Sequence, residues 1–224
     1  MNLKLLKHEL HVAWRRYRLR TIEFNSGLGD AGWLLHGLVR TMKPETCVEI
    51  GSARGHSTCL LGLALKLNLR GRLWAVDPHF QNAWSDKVAE DTQATLSSNL
   101  AAAGVTDYVT IVRKTTRDAE PSLPERIDFA FIDGDHSYEG VKTDWEILKP
   151  RMAPFGVVVF HDTLWDRNRD EELYKTYRRE NMGVPKLLEE LRLEGYPIVT
   201  INQNWGISML QLPKGGEPFL PSEG

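Results

Sequence analysis

Two short polar clusters stand directly after apolar stretches of strand length. The run Ile127–Ile132 is almost entirely apolar and is followed by Asp-Gly-Asp-His at positions 133–136. A second apolar run, at positions 157–160, is followed by His161 and Asp162. Carboxylates and imidazoles act as general acids and bases and also bind metals, so such close spacing indicates a catalytic or metal site.

A strand, a polar turn and a helix are the elements that must position the first cluster. The apolar run is typical of a buried parallel strand, and the residues from Ser137 to about Leu148 repeat with helical spacing. This order of elements places polar side chains at the carboxyl end of a parallel sheet. The segment at 157–163 (VVVFHDT) repeats the plan.

A third segment, at positions 46–57 (TCVEIGSARGHS), predicts a strand, a glycine-containing turn and a helix over Thr58–Leu67. Gly51 and Gly55 permit a tight turn and close approach by a ligand, and the helix N-terminus offers free N–H groups. The spacing differs from the dinucleotide-binding Gly-x-Gly-x-x-Gly. Glu49 precedes the first glycine and favours a cationic ligand over a pyrophosphate. An ordinary strand-to-helix turn is the alternative.

The next predicted strand ends at Asp77, about 26 residues after Gly51. In nucleotide-binding α/β folds an acid at this place accepts hydrogen bonds from the ribose hydroxyls; a helix cap or surface acid is the alternative. A helix is predicted over Val88–Ala103 and a strand over Tyr108–Val112. The polar segment Arg113–Asp118 then either lines an adenine pocket or forms a solvated loop.

Length and composition predict one domain with a substantial core, since the chain has 224 residues. The net charge is −2, so no general attraction to nucleic acid is expected. Cys47 and Cys59 lie in apolar segments and are expected to be core thiols. We find neither an apolar run long enough to span a membrane nor a signal peptide, and we expect a cytoplasmic protein.

The two ends of the chain suggest additions to the core at 44–212. Residues 3–20 predict a basic amphipathic helix that either contacts a membrane surface or acidic partner, or docks and forms a homo-oligomer. This predicted helix and a second one near Asp30–Thr41 together make up an N-terminal helical part, 1–43. The charged stretch at 163–184 has the length of a lid, and 213–224 resembles a tail.

The chain is predicted to close with a helix over Pro185–Leu193 and two strands, Pro197–Ile201 and Gly206–Leu212. The short turn between these strands requires antiparallel pairing. The order of all these elements resembles the class I S-adenosylmethionine-dependent methyltransferases. VEIGSARGHS stands at the family's first motif and WAVDPH at its ribose-binding acid.

Within that class, FAFIDGDHSYEGVKTDWEILKP followed by GVVVFHDT is similar to the small-molecule O-methyltransferases of the macrocin O-methyltransferase and cephalosporin hydroxylase-like group. The resemblance covers about residues 33–212. It implies an α/β fold with a doubly wound, mostly parallel seven-stranded sheet and a terminal antiparallel hairpin. The strands that lead to Asp133 and Asp162 would then be neighbours, roughly 4.8 Å apart.

The resemblance also implies roles for individual residues. Asp133 and Asp162 correspond to metal-binding acids, with His161 as a third ligand, and His136 corresponds to a general base. The expected divalent metal is magnesium or manganese, or another transition metal. An imidazole at position 161 suits manganese, iron, cobalt or zinc better than magnesium. Ala53 replaces a glycine of many relatives and narrows the room beside the methionine moiety. The expected S-adenosylmethionine-binding residues are Glu49, Gly51, Ser52, Ala53, Gly55, Ser57, Asp77, Thr115 and Asp133.

The expected activity is metal-assisted O-methylation of a small hydroxylated metabolite or sugar. The helix that follows His136 should keep its imidazole neutral and able to accept a proton. Asp135 is expected to cap that helix, and Tyr138 and Trp165 are candidates for substrate contact. The alternatives are a cofactor-binding protein without catalysis and a nucleotide-dependent oxidoreductase.

Overall fold

The computed structural model describes residues 19, 21–22, 24, 26–79, 92–165 and 183–214. The predicted helix at 3–20, the lid at 163–184 and the tail at 213–224 lie almost entirely outside these residues. So does the start of the helix predicted from Val88. The division into an N-terminal part, core, lid and tail therefore stays a prediction, as does a homo-oligomer built through the N-terminal helices.

A seven-stranded sheet forms the centre of the described chain, in the order β3-β2-β1-β4-β5-β7-β6. Strands β1 to β5 run parallel to one another, whereas β7 pairs antiparallel with both β5 and β6. The predicted fold class and closing hairpin are confirmed. The strands are β1 Thr46–Ile50, β2 Arg72–Val76, β3 Val109–Val112, β4 Ile127–Ile132, β5 Met152–His161, β6 Ile198–Ile201 and β7 Ile207–Gln211.

Helices follow or connect these strands close to the predicted positions. They are α1 Gly32–Met42, α2 His56–Asn68, α3 Thr92–Ala103, α4 Thr116–Ala119, α5 Tyr138–Leu148 and α6 Val184–Leu193. Short 3-10 turns occupy Gly29–Ala31, Thr106–Tyr108, Glu120–Ser122 and Lys149–Arg151. No helix in these described ranges combines the length and apolar character needed to cross a membrane.

Alternate side chains of the central strands enter two apolar cores, one on each face of the sheet. Phe129 and Phe131 of β4 pack with α1, α2 and α3 on one face. Ala130 and Ile132 pack with α5 and α6 on the other. Cys47 and Cys59 are both buried free thiols, as predicted.

This packing fixes the register of the polar residues at the sheet edge. Ile132 is paired with Phe160 across β4 and β5, so Asp133, His161 and Asp162 emerge side by side. Because β7 runs antiparallel to β5, the turn between β6 and β7 reaches the same edge.

Candidate functional site

A cavity of about 910 Å³ opens at the carboxyl edge of the parallel strands. Every residue predicted for the site lines it except Glu49. One end, here called the glycine end, is formed by the turn from Gly51 to Gly55 together with Asp77. The other, the acid–imidazole end, contains Asp133, His136, His161 and Asp162.

Gly51 makes the turn after β1 possible. Its φ is +89°, and a Cβ at this position would lie 2.0 Å from the carbonyl oxygen of Asp133. Gly55 also has a φ of +89° and stands at the start of α2, where a Cβ would collide with Leu96. These positions require glycine, which leaves the backbone exposed to the cavity.

Two backbone amides hold Asp77 at the glycine end. Its Oδ2 accepts a hydrogen bond from the Ala53 amide at 2.8 Å, and its Oδ1 accepts one from the His79 amide at 2.6 Å. A carboxylate oxygen accepts more than one bond, so both oxygens remain able to bind ribose hydroxyls. Ala53 adopts a left-handed φ of 40°, so the non-glycine residue carries backbone strain here.

Glu49 lies behind the cavity wall rather than on it. Its side chain is 0% exposed, and neither of its oxygens has a hydrogen-bond partner within the described part of the chain. Burial raises its pKa to about 7, and the nearby Ser57 and Thr58 side chains only partly oppose that change. A role for Glu49 in holding a cofactor therefore stays a prediction.

Thr115 stands on the wall at the start of α4. Its hydroxyl accepts a hydrogen bond from the Asp118 amide at 3.2 Å and donates one to Asp118 Oδ2 at 2.8 Å. It is therefore the N-cap of this short helix. Because Arg113–Asp118 includes five residues that line the cavity, its predicted place beside the ligand is compatible with the structure.

At the acid–imidazole end, His136 lies between two carboxylates. Its Nε2 is 2.9 Å from Asp162 Oδ2 and 3.4 Å from Asp133 Oδ1. Burial alone would lower the pKa of His136, but the hydrogen bonds to both acids and their charges raise it to about 10. The predicted neutral ring is therefore wrong for the ligand-free chain, because these charges outweigh the helix terminus.

His161 joins the same acids from β5. Its Nδ1 lies 3.1 Å from Asp133 Oδ1 and 3.4 Å from Asp162 Oδ1, while its Nε2–H donates to the carbonyl of Asn204 at 2.8 Å. Burial would lower its pKa, but the two carboxylate charges raise it well above its ordinary value. Both ring nitrogens therefore carry protons, and the ring orients the acids.

The pKa values of the two acids are shifted in the opposite direction to those of the two imidazoles. Burial alone would raise the pKa values of Asp133 and Asp162, but the charge of His161 and hydrogen bonds from both imidazoles hold them below the ordinary value. Asp162 also has a left-handed φ of 57°. Two carboxylates and two imidazolium rings thus form a nearly neutral, strained cluster.

The chemistry of this cluster is compatible with a divalent metal ion. Ligand atoms of Asp133, His136 and Asp162 all lie within 4.8 Å of one another. This group contains His136, whereas His161 was predicted as the third ligand. Ligation of a metal by His161 therefore stays a prediction. Two carboxylates and one imidazole suit manganese, iron, cobalt or zinc better than magnesium.

Two nearby assignments from the sequence need correction. The N-cap of α5 is Ser137, whose hydroxyl accepts from the Gly140 amide at 3.0 Å; Asp135 instead accepts from the Ser137 amide. Tyr138 donates to Glu190 on α6 and is absent from the cavity wall, so the structure does not support it as a substrate contact.

Trp165 does line the cavity, where it stacks on Trp205, a residue that was not predicted for the site. Its ring centroid is 4.6 Å from that of Trp205, which follows β6 and also lines the wall. Asn204 and Trp205 have left-handed φ values of 47° and 69°. The Asn-Trp-Gly turn was detectable, because a hairpin antiparallel to β5 must place its turn at this edge.

Comparison with known proteins identifies the class. The family model described as "Methyltransferase domain" matches residues 48–163. This chain therefore belongs to the methyltransferase-domain family. The match spans both ends of the cavity, from β1 through the residues that follow β5.

Two curated relatives align with part of this chain. Caffeoyl-CoA O-methyltransferase of Stellaria longipes is 29% identical over 139 residues, which cover 60% of this chain and 53% of that protein. The "Uncharacterized protein y4gI" of Sinorhizobium fredii is 28% identical over 140 residues, covering 59% and 15%. The chain thus spans about half, or less, of the length of these curated relatives.

A solved structure shares the fold. The O-methyltransferase TomG from Streptomyces achromogenes, in complex with S-adenosylmethionine, has a TM-score of 0.61 and 21% sequence identity, with coverage of 82% of this chain and 79% of TomG. The family match and the strand order confirm the resemblance to the class I S-adenosylmethionine-dependent methyltransferases.

Proposed function

We propose that this chain transfers a methyl group from S-adenosylmethionine to a hydroxyl oxygen of a small metabolite or sugar. The observation that carries the proposal is the His136 imidazole between Asp133 and Asp162, in the same cavity as the Gly51 turn and Asp77. The Stellaria relative, named as an O-methyltransferase, supports oxygen as the acceptor atom. A cavity of about 910 Å³ suits a cofactor and a small substrate.

The glycine end would hold the cofactor. Asp77 is already fixed by two amides and can accept the ribose hydroxyls, while the open backbone at Gly51 lets the ligand approach. The cofactor supplies an activated sulfonium methyl group, so the protein must mainly position the acceptor oxygen and remove its proton. The residues proposed to surround the cofactor are Glu49, Gly51, Ser52, Ala53, Gly55, Ser57, Asp77, Thr115 and Asp133.

At the other end, His136 Nε2 is the proposed base for the substrate hydroxyl, so in this proposal the two acids hold the ion and His136 does not. In the ligand-free chain this atom is protonated, because the two carboxylates raise its pKa to about 10. His136 therefore accepts a proton only after the charge of Asp133 and Asp162 is compensated. A divalent ion held by these acids would supply that compensation and would also acidify a bound hydroxyl.

Calorimetric titration with S-adenosylmethionine, with and without Mn²⁺ or Mg²⁺, tests the proposal. We expect micromolar cofactor binding that EDTA does not abolish, and methylated products from a panel of hydroxylated compounds detected by mass spectrometry. Asp162→Ala should abolish both metal binding and turnover but retain cofactor binding. Asp135→Asn, in the adjacent loop but outside the donor set, is the matched control and should keep metal binding.

The outcomes separate the parts of the proposal. Absence of cofactor binding under every condition would refute the function assigned to the glycine end. Cofactor binding with full turnover in EDTA would refute the proposed role of the metal but would leave the proposed methyl transfer intact. Wild-type turnover in Asp162→Ala would refute the assignment of the acid–imidazole end.

A further inference from the structure

We propose that Tyr138 is a positioning residue that fixes the loop carrying His136 to helix α6. The inference rests on the proposed function, since it concerns the proposed base. Tyr138 is the second residue after His136 and the first residue of α5. It lies outside the cavity wall and outside the acid–imidazole cluster, so it acts on the reaction through another residue.

One face of α6 contacts Tyr138. Gly183, Lys186 and Glu190 are three and four residues apart, so they share a face of the helix that begins at Val184. Glu190 accepts the Tyr138 hydroxyl at 2.7 Å, and Lys186 Nζ lies 3.7 Å from the centroid of the Tyr138 ring. A bond to an ionised carboxylate is stronger than one between neutral groups, and a cation is attracted to a ring face. Helix α6 therefore holds this side chain at two points.

The start of α6 also attaches to the backbone of the same loop. The Gly183 amide donates to the His136 carbonyl at 2.7 Å. A Cβ at position 183 would lie 2.0 Å from the Tyr138 nitrogen, so a side chain larger than glycine does not fit here. The loop that carries His136 is thus joined to α6 through its backbone as well as through the Tyr138 side chain.

The place of the His136 ring depends on this attachment. Its Nε2 lies 2.9 Å from Asp162 Oδ2 and 3.4 Å from Asp133 Oδ1, so a small shift of the loop changes both distances. The two acids directly follow strands β5 and β4, whereas His136 stands in the turn between β4 and α5. Misplacing a reacting group by about 1 Å can lower a rate by about 10²-fold.

Tyr196 offers a matched control, because it joins the same two helices near the opposite end of α5. Its ring meets that of Trp145 edge-on at 5.7 Å and lies 5.4 Å from Lys149 Nζ. Its hydroxyl is buried and has no hydrogen-bond partner in the described part of the chain. Removing this hydroxyl makes the same chemical change between the same helices without touching the His136 loop.

The test compares Tyr138→Phe with Tyr196→Phe by NMR of the full chain. The Cε1–H resonance of His136, identified by its loss in His136→Ala, should shift or broaden in Tyr138→Phe and stay unchanged in Tyr196→Phe. Each substitution keeps its ring and removes only a hydroxyl group. A shift in Tyr138→Phe therefore reports a displaced imidazole rather than a lost ring current.

Kinetics give a second, independent measurement. On a compound that the wild type methylates, Tyr138→Phe should lower kcat by about tenfold, because the base is displaced from the acceptor oxygen. KM and the dissociation constant of S-adenosylmethionine should stay within about twofold of the wild-type values, since the glycine end is intact. Gly183→Ala, which pushes the loop away from α6, should lower kcat by about 10²-fold. Tyr196→Phe should leave kcat unchanged.

An unchanged His136 resonance in Tyr138→Phe would overturn the proposal whatever happens to kcat, because the effect would then arise elsewhere. Equal changes in Tyr138→Phe and Tyr196→Phe would also overturn it, since they would show a general loosening of the two helices. If the wild-type chain methylates none of the hydroxylated compounds, the proposed function fails, and the resonance alone decides whether Tyr138 holds the His136 loop.

Discussion

At the glycine end of the cavity, backbone amides hold a single acid in place, whereas at the acid–imidazole end four charged side chains hold one another. Asp77 receives hydrogen bonds from the amides of Ala53 and His79. Asp133, by contrast, is held by the imidazoles of His136 and His161. The first arrangement depends on the path of the chain, and the second depends on charge balance.

The difference teaches which substitutions each end tolerates. An end built from the backbone should tolerate changes of side chain but not an added Cβ where φ requires glycine. An end built from paired, buried charges should tolerate a substitution that keeps both the shape and the charge of the side chain. It should lose function when one charged partner is removed, because the remaining charges are left unpaired.

The largest effect is expected from His136→Ala, which removes the proposed base. Turnover should fall by about 10²–10⁴-fold, while the dissociation constant of S-adenosylmethionine stays near the wild-type value because the glycine end is intact. Steady-state kinetics and calorimetry measure the two quantities. The Asp135→Asn control should retain most of the turnover; an equal loss in both variants would show that the effect is not specific to the imidazole.

At the glycine end, Gly51→Ala should lower the free energy of unfolding by about 3–4 kcal/mol. The added Cβ would lie 2.0 Å from the Asp133 carbonyl, and the φ of +89° disfavours alanine. Urea denaturation measures this change. Gly37→Ala is the control: nothing lies within 4 Å of its Cβ, and in the helix it should stabilise by about 0.5–1 kcal/mol. A Gly51→Ala protein of normal stability would contradict the comparison.

The same contrast explains what could be predicted from the sequence. Apolar runs followed by polar turns are local patterns, and they correctly placed the strands that lead directly into Gly51, Asp77, Asp133 and Asp162. The closing hairpin was also predictable, because the short Asn-Gln-Asn turn excludes a parallel connection. The parts of the site that follow strands directly were therefore found.

Features that depend on packing between distant segments were not found. No local pattern indicates that His161 donates to the Asn204 carbonyl, or that Trp165 stacks on Trp205. The charge state of His136 was predicted wrongly because the helix terminus is local, whereas Asp162 is brought in by a neighbouring strand.

A smaller effect is expected from Glu49→Gln, and it depends on pH. The folded pKa of Glu49 is raised to about 7, so the unfolded chain ionises first as pH rises and stability is lost between about pH 4.5 and pH 7. The variant should match the wild type near pH 4 and be more stable at pH 8, by about 2–3 kcal/mol.

Urea denaturation of the ligand-free proteins at both pH values measures this difference. Glu45→Gln is the control, because Glu45 forms only an exposed ion pair with Arg70. The difference in stability between this variant and the wild type should change little between the two pH values. Equal stability of Glu49→Gln and wild type at pH 8 would mean that Glu49 is not desolvated as the structure indicates.

The smallest effect on stability is expected at Ala53, where a substitution separates the contribution of the backbone conformation from that of the side chain. Its φ of 40° costs a non-glycine residue about 1–2 kcal/mol, whereas glycine costs about 0.5–1 kcal/mol in lost entropy, so Ala53→Gly should stabilise slightly. Its amide still donates to Asp77, so cofactor affinity should not change. Ala101→Gly, in the interior of α3, should instead destabilise by about 1 kcal/mol. If Ala53→Gly destabilised equally, the Ala53 side chain, and not only the backbone, would support the glycine end.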